Sequence, residues 1–294
     1  TTTGYEGVEV TSNVDNVTEA VQVAEAADAI VLLVGINGGI EGEEHDRSNC
    51  TLPAVQPKLV QAISALGKPT VMVLIHGGAM CLGALKDDVP SIVDAFYGGE
   101  RGADALAAVL FGDHNPSGKL PVTMYPVEYL EQNPLTQMSV IAAPGRTHLY
   151  YTGTPEFAFG TGLSYSSWSM EVLSAGQEVA ANRGSTSFTV KLTNKGPVAG
   201  QQRVLAFVRA RSPMPQKTAP RQKLWAYQGA NLGVGESTVL TFTLDTSLIA
   251  HSNDAGDRVV QPGDYEVAFS DGANEVKMGL RVTGDLTVVE ASVF

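Results

Sequence analysis

Two hydrophobic periods divide the chain. In the first half, apolar residues recur at helical spacing and then in unbroken runs of strand length. Val17, Ala20, Val21, Ala24 and Ala27 share one helical face, and Asn16 stands where an N-cap belongs, so a helix is predicted over 16–27. An all-apolar run over 29–35 follows, then a polar, glycine-rich loop over 36–53. Val55, Leu59, Val60, Ile63 and Leu66 form a second helical face, with Gly67 placed as its C-cap. Further strands are predicted over 69–75, 91–97 and 120–124, with a helix over 101–111 between the last two. Strands apolar on both faces and joined by helix-sized segments predict a three-layer α/β/α sandwich around a mostly parallel sheet. Ligands bind outside the C-terminal ends of such strands, which is where the loop after Gly35 lies.

From about residue 170 the period changes to two. Phe188/Val190/Leu192, Val204/Ala206/Val208, Leu240/Phe242/Leu244, Tyr265/Val267/Phe269 and Val276/Met278/Leu280 alternate with polar neighbours, and turn-formers separate them. This predicts a β-sandwich. The domains are therefore expected at 1–165 and 166–294, with the aromatic, glycine-rich stretch 157–165 packed against something rather than hanging as a linker.

Composition narrows the function classes. The 294 residues allow one large or two ordinary domains. A hydrophobic fraction of 44 % excludes disorder. The net charge of −12 repels nucleic acid and anionic membrane surfaces, so neither is expected as a partner. No apolar run approaches the ~20 residues that span a bilayer. The chain opens Thr-Thr-Thr without Met or a signal peptide, so a processed product or a piece of something longer is expected. Cys50 and Cys81 leave two alternatives open, one bridge or two free buried thiols.

The candidate chemistry concentrates in Glu41-Gly-Glu43-Glu44-His45-Asp46-Arg47. Crowded carboxylates can raise a carboxyl pKa, as general-acid chemistry requires. The alternative is a solvated acidic loop, and the spacing matches no dedicated metal motif. Asp46 and Arg47 are expected to pair and order the loop, with direct substrate contact as the alternative; His45 is either a contact to the reacting groups or a plain loop histidine. His76 ends a strand and is a candidate for the same crevice, with tight strand-to-loop packing as the alternative. Glu100 reads as a helix N-terminal charge. Trp168, Trp225 and Tyr227 offer an aromatic binding platform or sandwich core. The stretch 211–221 is a local basic loop, for another domain or for solvent. Gly35-Ile-Asn-Gly-Gly39 lacks the dinucleotide fingerprint, and no phosphate-binding loop or nucleophile elbow is present. Asn16-Val-Thr18 and Asn49-Cys-Thr51 are glycosylation sequons.

The run Gly39-Ile-Glu-Gly-Glu-Glu-His-Asp-Arg47, followed by Asn49-Cys-Thr-Leu-Pro53, resembles the acid/base loop of glycoside hydrolase family 3, most of all its β-xylosidase branch. Phe111-Gly-Asp-His-Asn-Pro-Ser-Gly-Lys-Leu-Pro-Val-Thr-Met-Tyr-Pro126 is similar to the segment that closes the family's α/β sandwich. Pro144–Gly153 and Phe159–Tyr165 resemble its exit toward a third domain, and Val259–Tyr265 a hairpin of the fibronectin type III-like domain that follows. The resemblance covers nearly the whole chain, in the family's order.

It implies a retaining, exo-acting β-glycosidase of the β-D-xylosidase type acting on oligosaccharides. β-Glucosidase and α-L-arabinofuranosidase are alternatives within the family; a non-catalytic carbohydrate-binding or structural extracellular protein is an alternative outside it. The acid/base falls on Glu43, with Glu41 as second choice. Glu41, Glu44, His45, Arg47 and His76 become candidate substrate contacts. The family commonly has Gly where Glu44 stands. Its nucleophile is an Asp on an N-terminal (β/α)8 barrel, so a barrel domain or companion chain is the implied partner. No cofactor and no metal is implied. Secretion or a lytic compartment, with glycans at Asn16 and Asn49, is the implied setting.

Overall fold

The computed structural model describes residues 15–44, 46–211 and 218–292. The chain forms two compact units, each built from several stretches. Among the described residues, the first takes those of 15–110, 123–136 and 154–157; the second takes those of 111–122, 137–153 and 158–292.

The first unit is α/β. In chain order it contains α1 (Asp15–Glu25), β1 (Ile30–Gly35), α2 (Gln56–Ser64), β2 (Thr70–Ile75), α3 (Leu85–Asp88), β3 (Ser91–Asp94) and α4 (Gly102–Leu110). The three strands pair in the order β1-β2-β3, all parallel, with Leu32 opposite Met72 and Val73 opposite Val93. Leu32, Val34, Met72 and Leu74 face Ala24 of α1 and Val60 and Ile63 of α2 in one buried cluster. On the other face Val31 and Leu33 are exposed, and α4 has no buried residue. The described residues thus show one helix-covered face of a parallel sheet. The strand expected over 120–124 does not form. Pro121 has no N–H to give to a ladder, and within this unit only an isolated antiparallel bridge joins Met124 to Phe157.

The second unit is a β-sandwich. One sheet, in the order β4-β6-β9, comprises β4 (Ser167–Ala175), β6 (Ser185–Gly196) and β9 (Ser237–Asp245). The other, in the order β5-β13-β12-β7-β8, comprises β5 (Glu178–Ala180), β7 (Gly200–Ala210), β8 (Lys223–Leu232), β12 (Gly263–Ser270) and β13 (Glu275–Thr283). A small sheet joins β10 (His251–Ser252), β11 (Arg258–Val260) and β14 (Thr287–Glu290). Alternation puts Phe188, Val190, Leu192, Phe242, Leu244, Val267 and Phe269 into one core. Trp225 packs among Phe188, Phe242 and Phe269, and Trp168 is buried in the same core, so both indoles are structural rather than a sugar platform. Tyr227 is exposed.

The stretch 158–165 belongs to this unit for a visible reason. Phe159 packs with Leu205, Phe207 and Ala268 on the outer face of the five-stranded sheet. A Cβ on Gly160 would lie 2.7 Å from Leu205, so only glycine permits the approach. Asn115 Oδ1 accepts from Ser164 Oγ and from Tyr165 N, both at 2.9 Å. In the basic stretch, residues 212–217, including Lys217, lie outside the described residues. Arg221 donates to the Tyr151 carbonyl within the same unit, which gives it a structural partner.

Across the five-stranded sheet, Arg209 on β7 binds Glu275 through two bonds of 2.9 and 2.6 Å, and Glu266 at 3.1 Å. Burial opposes ionisation of Glu275, but the bonds from Arg209 and Lys277 outweigh it and hold its carboxyl below the usual range. A depressed folded value stabilises above the unfolded pKa and is lost as pH falls through the folded one. Glu275→Gln should therefore cost about 1–2 kcal/mol at pH 7. The difference from wild type should vanish near pH 2 in thermal melts; a cost that persists there would show that packing, not charge, is at stake.

Candidate active-site loop

The candidate chemistry sits at the C-terminal end of the parallel sheet. Gly35 closes β1 with φ +149°, and a Cβ there would lie 1.9 Å from the Ile75 carbonyl, so no other residue fits. Gln56, buried at the start of α2, accepts from Gly35 N and donates to Gly35 O, both at 2.9 Å. The amide side chain thus completes the hydrogen bonding of the strand end and fixes where the loop leaves it.

The chain then turns over Asn37, with Ile40 N and Glu41 N both donating to the Asn37 carbonyl. Glu41 Oε2 meets Arg47 Nε at 2.5 Å. Arg47 also donates to the Ala79 carbonyl at 3.2 Å and lies 3.5 Å from Met80 Sδ. The expected Asp46–Arg47 pair is replaced by this one: neighbours in sequence diverge here, while residues six apart converge. Asp46 is exposed. Three residues beyond Arg47, Cys50 and Cys81 form a disulfide, and Cys81 N donates to the Cys50 carbonyl at 2.8 Å. Of the two alternatives for the cysteines, the structure has the bridge.

Glu43 and Glu44 occupy an exposed turn between these anchors, with Glu44 in the left-handed region at φ 67°. His45 lies outside the described residues. Asn49 is exposed, its Oδ1 accepting from Thr51 N at 2.8 Å. Asn16 falls in α1, but its side chain, and hence the N-cap and sequon readings there, lies outside the description.

The loop after β2 receives these anchors. His76 is fully buried. Its Nδ1 lies 2.5 Å from the Gly78 carbonyl, its Nε2 lies 3.0 Å from Asp94 Oδ1, and its ring packs on Phe96. Both ring nitrogens face protein oxygens and none faces solvent, so the expected sugar contact through His76 is corrected to an internal role. Gly77 packs against the Tyr97 ring, and Tyr97 Oη donates to the Ile36 carbonyl at 3.3 Å. Further on, Glu156 accepts from Leu82 N at 2.8 Å and Gly83 N at 2.7 Å. Burial raises the Glu156 pKa, against the pull of those two donors and of Lys86. Glu100 is exposed two residues before α4.

Sequence reasoning missed Gln56, Asp94 and Glu156. Only Asp94 carried a signal, as a lone carboxylate inside an apolar strand.

An α/β domain with its chemistry at the strand ends, followed by a fibronectin-like sandwich, defines the class. Residues 2–165 match the glycosyl hydrolase family 3 C-terminal domain, and residues 204–272 match a fibronectin type III-like domain. The chain belongs to glycoside hydrolase family 3.

An exo-1,4-beta-xylosidase xlnD of Emericella nidulans is 34 % identical over 278 residues, covering 86 % of this chain and 34 % of that protein. A beta-xylosidase/alpha-L-arabinofuranosidase 2 of Medicago sativa subsp. varia is 31 % identical, over 86 % of this chain and 36 % of its own length. A solved exo-beta-xylosidase, XlnD, bound to a xylobiose aziridine probe superposes with a TM-score of 0.85 at 28 % identity, over 97 % of this chain and 40 % of that one. A β-glucosidase from Erythrobacter marinus gives 0.76 at 30 % identity, over 96 % of this chain and 38 % of that one. The chain spans about a third to two fifths of the length of these relatives.

Two stability outcomes follow from the loop. A left-handed Glu carries roughly 1 kcal/mol of backbone strain that glycine does not, so Glu44→Gly should raise the denaturant midpoint slightly; a clear loss would mean the Glu44 side chain is itself an anchor. Removing the bridge by Cys50→Ala with Cys81→Ala opens a link across 31 residues. That should cost roughly 3–4 kcal/mol on chain-entropy grounds; a loss below about 1 kcal/mol would show the loop is held without it.

Proposed function

We propose that this chain is the C-terminal part of a retaining, exo-acting β-glycosidase of the β-D-xylosidase type, releasing terminal β-linked sugars from oligosaccharides. Glu43 is its general acid/base. The nucleophilic Asp lies on an N-terminal (β/α)8 barrel, on the same polypeptide or a companion chain. Residues 1–165 form the acid/base domain, of the three-layer α/β/α sandwich class, and residues 166–294 the fibronectin type III-like domain, with the stretches 111–122, 137–153 and 158–165 of the former folding into the second compact unit.

One observation carries the choice of Glu43. Glu43 stands on an exposed turn, the Glu41–Arg47 pair on one side of it and the Cys50–Cys81 bridge on the other, where a substrate can reach it. Glu41, by contrast, is committed to the Arg47 guanidinium at 2.5 Å and to the Gly78 turn on which it rests. Glu41 and Arg47 then hold the loop, while Glu44 and His45 border the acid as substrate contacts.

In this mechanism the barrel Asp attacks the anomeric carbon while Glu43 protonates the departing oxygen. Water then attacks the anomeric carbon as Glu43 takes its proton, and the bond from that carbon to the Asp carboxylate breaks, with net retention. The two carboxyl groups would stand about 5–5.5 Å apart.

The xylosidase reading takes its support from the names of the relatives in Emericella and of the superposed XlnD. The bifunctional Medicago relative and the Erythrobacter β-glucosidase favour arabinose or glucose as the second reading. A disulfide and an exposed sequon at Asn49 support a secreted, glycosylated protein.

In the enzyme assembled with its barrel, Glu43→Gly should lose about 10²–10⁴-fold in turnover of xylo-oligosaccharides. Azide should restore turnover of an activated aryl xyloside and yield the β-glycosyl azide. Full activity of the variant on xylo-oligosaccharides would move the role to another carboxylate.

A further inference from the structure

The buried pair His76–Asp94 is unused by the mechanism above, yet it lies beneath the loop that the mechanism needs. It bridges the ends of two neighbouring strands: His76 directly follows β2, and Asp94 is the last residue of β3. His76 is fully buried, and Asp94 has only 13 % of its side chain exposed. Both Asp94 oxygens are shielded and none has an aligned hydrogen bond, though His76 Nε2 stands 3.0 Å from one of them. Burying a carboxylate is costly unless it is paired, and the His76 imidazole is the partner that stands against this one.

What the pair holds is the Gly77-Gly78 turn. The Gly78 carbonyl is an acceptor only, so the short contact from His76 Nδ1 makes that nitrogen the N–H donor. The turn is thereby bent back over the imidazole. A Cβ on Gly78 would lie 2.1 Å from Glu41 Oε1, which means the Glu41 carboxylate rests directly on the glycine. Glu41 in turn carries Arg47, which reaches Ala79 and Met80 one and two residues past that glycine. The path from Asp94 to the acid/base loop is thus continuous: carboxylate, imidazole, glycine turn, Glu41, Arg47.

We propose that His76 and Asp94 are positioning residues for the acid/base loop, acting through the Gly78 turn and touching no substrate. The idea rests on Glu43 being the acid/base. A shifted acid penalises departure of a basic leaving group, which needs its proton, and spares one that leaves as a stable anion. A residue that merely stabilises the fold would lower all rates together.

The test uses the enzyme assembled with its barrel and a series of aryl β-xylosides that runs from dinitrophenyl to unsubstituted phenyl. Asp94→Asn should lower kcat at least about tenfold for the phenyl glycoside and less than about threefold for the dinitrophenyl one, steepening the leaving-group dependence. Asp94→Glu should recover part of the loss. Gly78→Ala reaches the loop from the other side, leaves the pair intact and should give the same signature. An equal loss on both substrates in Asp94→Asn and Gly78→Ala overturns the proposal.

Glu43→Gly in the same series separates the two ideas. If it shows no leaving-group dependence, the reading of Glu43 fails. If it does and Asp94→Asn does not, only the positioning role fails. Independently of catalysis, nitrogen-15 NMR of the histidines in the 294-residue chain should show His76 protonated at Nδ1, with the signal assigned by His76→Gln. A ring protonated only at Nε2 contradicts the clamp.

Discussion

Arg47 gives the segment between β1 and α2 a fixed place. That segment is long, polar and rich in glycine; Ile36 and Leu52 near its two ends enter the core of the first unit. One guanidinium ties down the polar stretch between them. It binds Glu41 behind it in sequence and the Ala79 carbonyl and Met80 sulfur across the sheet end. The disulfide three residues on repeats the attachment covalently. Between Glu41 and Arg47 the chain has to arch outward, and Glu43 is on the arch. An exposed carboxylate is thus carried between part-buried anchors, as the proposed acid/base role requires.

The loop after β2 is correspondingly stiff. Glu156 engages two successive N–H groups beyond the disulfide, His76 fixes the turn before it, and Tyr97 packs on Gly77. Ion pairs on a surface are worth little one by one. Here the Glu41–Arg47 pair is part-buried and joined to backbone and disulfide contacts, so its members lose less to solvent and less to side-chain entropy.

Much of the fold was legible because apolar period is a strong signal. The runs at 29–35 and 69–75 became β1 and β2 within a residue, and the alternating residues of the second half became the two faces of the sandwich core. The stretch 120–124 has the apolar content of a strand, but Pro121 lacks the donor a ladder needs, and content alone does not show that. The family motif singled out the loop after β1, but the wiring inside that loop was not legible. Arg47 was expected to pair with the adjacent Asp46, whereas side chains on a curved loop meet across the curve. Gln56, Asp94 and Glu156 act through contacts across 21, 18 and 74 positions, which periodicity cannot reveal. Glu44 is different again: the glycine common at that position in the family is explained by the positive φ that this chain imposes on a glutamate.

The account stands on one carboxyl group on the Arg47-anchored arch doing acid and base work with a nucleophile from a barrel. The most direct test is the pH dependence of kcat/KM for an aryl xyloside with a poor leaving group in the assembled enzyme. The wild type should fall at both ends, the basic limb reporting the acid. Glu43→Gln should abolish that basic limb and leave the acidic one. A basic limb that survives Glu43→Gln unchanged contradicts the account.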